Sequence, residues 1–230
     1  MDFFVARMQV VLFGQVVLGK KVQVAAELSN QLADLFDEEP ILLPVPDDVP
    51  AEIPRIILRS KDGRHSSNIS LNRANFVYTE KDKLWRKLQG IREEFLTSVG
   101  NFAKVLIKSR VIVKVSRLGS ITELVTFTED NPIEVIQRNF LRTEDWGELS
   151  QIDLGLLAKM TWDNIKVNRW HRFRARTAET SPEGKPCVNF IVDINTVPDI
   201  EYDFGLEGIT GFYSRAYTNI ESNLSDILKK

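Results

Sequence analysis

Lys166, Trp170, Arg172, Arg174 and Arg176 fall within twelve residues, "KVNRWHRFRART", that read as one β-strand. Alternate residues of a strand share a face. Lys166, Asn168, Trp170, Arg172, Arg174 and Arg176 therefore point one way, and Val167, Arg169, His171, Phe173 and Ala175 the other. Guanidinium groups around an indole can hold phosphates and stack a base, as single-strand binders do. The competing reading is a solvated sheet. There Asp153, Asn189 or Asp193 on neighbouring strands would engage the arginines, at ~0.2–1 kcal/mol per pair, while Trp170 covers the stems of its neighbours.

Other reactive residue types are sparse. The two histidines, His65 and His171, lack the i, i+4 helical spacing of a zinc site. The single cysteine, Cys187, opens an apolar strand and reads as a buried small hydrophobe. Asp193, Asp199, Glu201 and Asp203 cluster in "VDINTVPDIEYDF" and could serve a metal-dependent hydrolase. Three of them lie in a proline-containing loop before a helix, where acids suit the helix dipole. The glycine and lysine spacing of a phosphate-binding loop does not occur. With no catalytic constellation legible, the reading leans away from an enzyme and implies no cofactor or metal.

Composition sets wider bounds. The 230 residues are 43% hydrophobic, enough for a substantial core. Thirty lysines and arginines oppose 32 acidic residues, so nucleic acid would have to be held by a local patch and not by net charge. One cysteine suits a reducing compartment. The apolar opening "MDFFVARMQVVLFGQVVLGKK" is interrupted by Arg7 and Gln9, and reads as a strand and not a leader. No uninterrupted apolar run is long enough for a membrane helix. The expectation is a soluble cytoplasmic protein without membrane association.

The elements that must position these residues repeat in order. The opening strand, with Gly14 as a candidate bulge, ends near Gly19. A helix follows over 20–36, then the proline-rich "EEPILLPVPDDVPAEIP". "RIILRS", "SSNISLN" and "ANFVYT" predict a three-strand meander turning at Asp62-Gly63, and apolar spacing predicts a helix from about Lys81 to Lys108. The second half opens with "RVIVKVSRLGSITELVTF", expected to break at Leu118-Gly119. "NPIEVIQRNF" then reads as a helix capped by Asn131, with Pro132 in its first turn. Strands near 151–161, 164–177 and 186–195 and a last helix over 206–228 complete it.

The predicted fold class is therefore α+β: two sequential strand, helix, three-strand, helix halves, 1–109 and 110–230, with antiparallel sheets packed as one pseudo-twofold unit. That order resembles the duplicated topology of the TATA-binding protein, an analogy of fold and not of function.

"IPRIILRSKDGRHSSNISLNRANFVY" also resembles the signature segment of a sporadically distributed, uncharacterised prokaryotic family. The matches are Pro54-Arg55, Asp62-Gly63, Ile69 and Arg73, then Phe76 and Tyr78, with a second point at "SRLGSITELVTF". The chain departs from that family's pattern at Asn75-Phe76 and Glu123-Leu124. The resemblance implies kinship without an activity.

The functional expectation is a non-enzymatic binding or assembly module, partnered by another protein or by itself. The first alternative is nucleic-acid binding through strand 164–177, with Arg55, Arg59 and Arg73 in the equivalent meander. The second is the metal-dependent hydrolase.

Overall fold

β1 (Phe4–Val16) and β6 (Ile112–Phe127) are the two longest strands and lie side by side at the centre of one antiparallel sheet. In the computed structural model, which describes residues 2–46, 48–81, 84–141, 149–181 and 183–227, nine strands form that sheet. The others are β2 (Ile41–Leu42), β3 (Ile56–Arg59), β4 (His65–Ile69), β5 (Arg73–Thr79), β7 (Asp153–Trp162), β8 (Ile165–Arg176) and β9 (Cys187–Thr196). The order across the sheet is β2-β3-β4-β5-β1-β6-β9-β8-β7. An α+β fold with an antiparallel sheet is thus the observed class.

The four helices among the described residues, α1 (Lys21–Gln31), α2 (Leu88–Lys108), α3 (Pro132–Phe140) and α4 (Leu206–Ile227), all pack on one face of this sheet. Cross-strand register identifies that face. Phe76, Val10, Ser120, Ile194 and Arg169 stand in one row from β5 to β8. Phe95 and Phe102 of α2 meet Phe76 with ring centroids 5.5 and 5.6 Å apart, and Phe36, just after α1, meets it at 5.9 Å. Ser120 Oγ donates to the Tyr217 hydroxyl of α4 at 3.1 Å, and Phe140 of α3 lies 4.2 Å from Phe173 on the same side. Burial of these rings between sheet and helices makes the core. None of the described helices is long and apolar enough to cross a membrane.

Local chemistry explains most element boundaries. Asn131 accepts a hydrogen bond from Ile133 N at 3.0 Å, which caps α3 with Pro132 at its first position. Gly63, at φ 68°, turns the β3–β4 hairpin. At Gly14 the register of β1 against β6 shifts, and a Cβ built there would sit 1.8 Å from the Lys114 carbonyl oxygen. Only glycine lets the two backbones come this close.

Three expectations are corrected. The helix predicted from about Lys81 starts at Leu88. Lys87 instead bridges Phe4, Arg86 O accepts from Val5 N at 2.8 Å, and Trp85 has φ 47°, a left-handed backbone that no α-helix accommodates. Residues 82 and 83 of that prediction, and 228 of the last helix, lie outside the described residues. No break occurs at Leu118-Gly119, because β6 runs through both; the nearest irregularity is the unpaired Ser116 of β6, between the pairs Phe13–Arg117 and Gly14–Val115. The first helix ends at Gln31, and Leu32 and Phe36 enter the core from the turns that follow.

Candidate binding face

The other face of the sheet carries no helix among the described residues. Its central row is Val77, Gln9, Ile121, Asp193, Trp170 and Leu157, and beside it stand Thr79, Arg7, Glu123, Ile191, Arg172 and Gly155. One row further, Asn75, Val11, Gly119, Asn195, Asn168 and Lys159 follow the same register. Each side chain here is one residue out of step with the core, which is why polar and apolar types alternate along every central strand.

Arg7, Ile121, Glu123, Trp170, Arg172, Ile191 and Asp193 line a cavity of about 450 Å³ on this face. Ile121 and Ile191 supply its apolar floor. Arg7 is occupied: Nη2 donates to Gln9 Oε1 at 2.7 Å, and Nη1 lies 3.4 Å from Glu123 Oε1. Asn195 Nδ2 donates to Asp193 Oδ1 at 3.0 Å. Burial raises the Asp193 pKa, against the opposing pull of that hydrogen bond and of Arg172. Arg172 is exposed and forms no side-chain hydrogen bond or ion pair among the described residues, while Trp170 beside it is 38% exposed. A guanidinium without a fixed partner next to an accessible indole can accept an anion and a planar group together.

The five residues singled out on β8 are distributed over three places. Trp170 and Arg172 share the cavity. Arg174 Nε donates to Asp153 Oδ2 at 2.8 Å, and Arg176 Nη1 donates to Thr180 O at 3.3 Å; both border a second hollow with Ser150 and Thr177. Lys166 lies apart, in a groove with Lys159 and Val197. On the covered side of the same strand, Arg169 Nη1 donates to Asn219 Oδ1 of α4 at 2.7 Å, and His171 meets Phe190 at 5.4 Å. Burial, with Arg169 nearby, pushes His171 down to about 4.

The meander arginines differ from one another. Arg55 is fully buried and donates to Ile53 O at 2.7 Å and Pro46 O at 3.2 Å, so it holds the proline-rich segment and is no phosphate ligand. Arg73 stands opposite Phe13, whose ring receives the Arg117 guanidinium at 4.8 Å. Arg59 is exposed. Arg7 and Glu123, absent from the residues first singled out, enter the site through β1 and β6. Their signal was the alternation of Arg7 and Gln9 with Met8 and Val10.

Asp199, Glu201 and Asp203 are exposed in the loop before α4, where Glu201 Oε2 lies 3.2 Å from Lys114 Nζ. Among the described residues no three His, Cys, Asp or Glu side chains converge as a metal ion requires. Cys187 is buried. No protein-family model matches the chain, and no curated protein matches it.

Proposed function

We propose that this chain is a non-enzymatic binding module that takes single-stranded nucleic acid on the uncovered face of its sheet. The observation that carries the reading is the Arg172 guanidinium, without a hydrogen bond or ion pair among the described residues, beside the exposed Trp170 indole and over an apolar floor. Around them the face holds Arg7, Arg73, Arg117, Lys159 and Arg174 against Glu123, Asp153 and Asp193, a local excess of cations on a chain with net charge -2. Cations track the phosphates and Trp170 stacks one base, a contact worth ~1–3 kcal/mol when removed. Double-stranded nucleic acid hides its base faces and offers Trp170 nothing to stack on.

The strand order supports reading the face as one built by duplication. Outward from β1 the order runs β5, β4, β3 in the first half, as outward from β6 it runs β9, β8, β7 in the second. We read this as two like halves related by an axis between β1 and β6, the arrangement for which the TATA-binding protein is the topological analogue. The ligand is argued from the site alone.

The test is a fluorescence-anisotropy titration with labelled single- and double-stranded DNA and RNA at two salt concentrations. Single strands are expected to bind with affinity falling steeply as salt rises. Trp170→Ala is expected to lower that affinity about tenfold or more, and Arg172→Glu to lower both the affinity and its salt slope. Equal binding by wild type and both variants, or no binding to any strand, overturns the proposal.

A further inference from the structure

The two edges of the sheet are finished differently. At one, β2 spans two residues within a stretch containing Pro40, Pro44 and Pro46, features that keep a further strand from adding. At the other, β7 runs ten residues without proline or bulge. Ala175 N donates to Ile152 O at 3.4 Å, so by two-residue alternation Leu154, Leu156, Ala158 and Met160 turn their backbone groups toward β8. Asp153, Gly155, Leu157, Lys159 and Thr161 turn theirs outward, where no strand among the described residues meets them. Leu156 and Leu157 are 47% and 42% exposed, one on each face of the strand.

We propose that β7 pairs with β7 of a second copy, antiparallel about a twofold axis at Leu156, joining two nine-stranded sheets into one. Such an axis at residue k sets residue i against 2k − i, so outward-facing residues meet outward-facing ones. With the axis at Leu156, Asp153 meets Lys159 of the other copy, twice by symmetry. Leu156 then meets itself, Leu154 meets Ala158, and Gly155 makes room for Leu157. Moving the axis to Leu157 sets Lys159 against Gly155 and Asp153 against Thr161, and loses both charge pairs. Charge complementarity thus selects one register, and it selects this chain's own strand as the occupant. Asp153 uses Oδ2 for Arg174, which leaves Oδ1 for the incoming lysine.

Leu156 would sit at a non-hydrogen-bonded position, where facing Cα atoms lie about 4.5 Å apart, within reach of a disulfide. The only native cysteine, Cys187, is buried and gives no background. Mild oxidation of Leu156→Cys is expected to yield a covalent dimer, and oxidation of Thr161→Cys to yield none. In sedimentation velocity the wild-type chain is expected to run as a dimer. Lys159→Glu and Asp153→Lys are each expected to weaken it about tenfold, and an equimolar mixture of the two to restore it, because each supplies the charge the other lacks. Lys159 has no ion pair among the described residues, so its variant tests the interface and not the fold. A monomer at every concentration, a dimer indifferent to both charge changes, or a failure of Leu156→Cys to cross-link overturns the proposal. None of these outcomes depends on the ligand of the open face.

Discussion

At the scale of single residues, β8 faces two environments with opposite demands. Trp170 and Arg172 meet solvent, whereas His171 between them is pressed against Phe190 beneath the helices. Its pKa of about 4 has a definite consequence for stability. Between the unfolded value near 6.5 and about 4, the unfolded chain binds a proton that the folded chain refuses, so stability falls as pH falls through that window. His65, also lowered by burial, adds in the same direction. Asp193, raised by burial, has the opposite sign: its proton is bound more tightly in the folded state. His171→Gln is therefore expected to flatten the dependence of the urea midpoint on pH between 6.5 and 4, leaving the opposed contributions of His65 and Asp193. An unchanged slope would mean that His171 charges freely in the folded protein. Period-two alternation alone showed that Trp170 shares a face with Arg172 and not with His171. It carried no sign that Arg7 and Glu123 complete the same cavity, because strand pairing across distant parts of the chain leaves no mark on either segment.

At the scale of elements, the legible features were those set by neighbours in sequence. Asn131-Pro132, Asp62-Gly63 and the three- and four-residue apolar steps of α2 and α4 act locally, and each element they predicted is present. The helix start at Lys81 failed for a tertiary reason. Leu84 fits the apolar spacing but is 60% exposed, and the backbone near Arg86 and Lys87 is taken by β1. The break expected at Gly119 is replaced by a bulge at Ser116 of the same strand, opposite Gly14 of β1, where the backbones touch. Gly14→Ala is accordingly expected to destabilise the protein by about 2–3 kcal/mol, read as a lower urea midpoint. Gly119→Ala, whose added Cβ would find its nearest neighbour 3.4 Å away at Phe13, should cost clearly less. Equal effects would show that the bulge opposite Gly14 is not closely packed.

At the scale of the whole molecule, the division into 1–109 and 110–230 meets a sheet that runs without interruption through both. The seam is β1 against β6, with Val10 opposite Ser120, and Tyr213 of α4 donates to the Val11 carbonyl at 2.9 Å across it. A fragment 1–109 would leave the long outer edge of β1 without a partner, and is expected to scatter light on dilution from denaturant where the full chain stays clear. A clear, monomeric fragment would establish the first half as an independent domain. The same seam fixes a schedule. During synthesis β1 leaves the ribosome before the other described elements, yet its central partner follows only after α2 is complete, so the middle of the sheet must wait for β6 before it can close. Contacts this remote in sequence put the entropy of a long loop ahead of any reward, which makes for slow folding and a nascent chain that depends on being kept from its neighbours until β6 arrives.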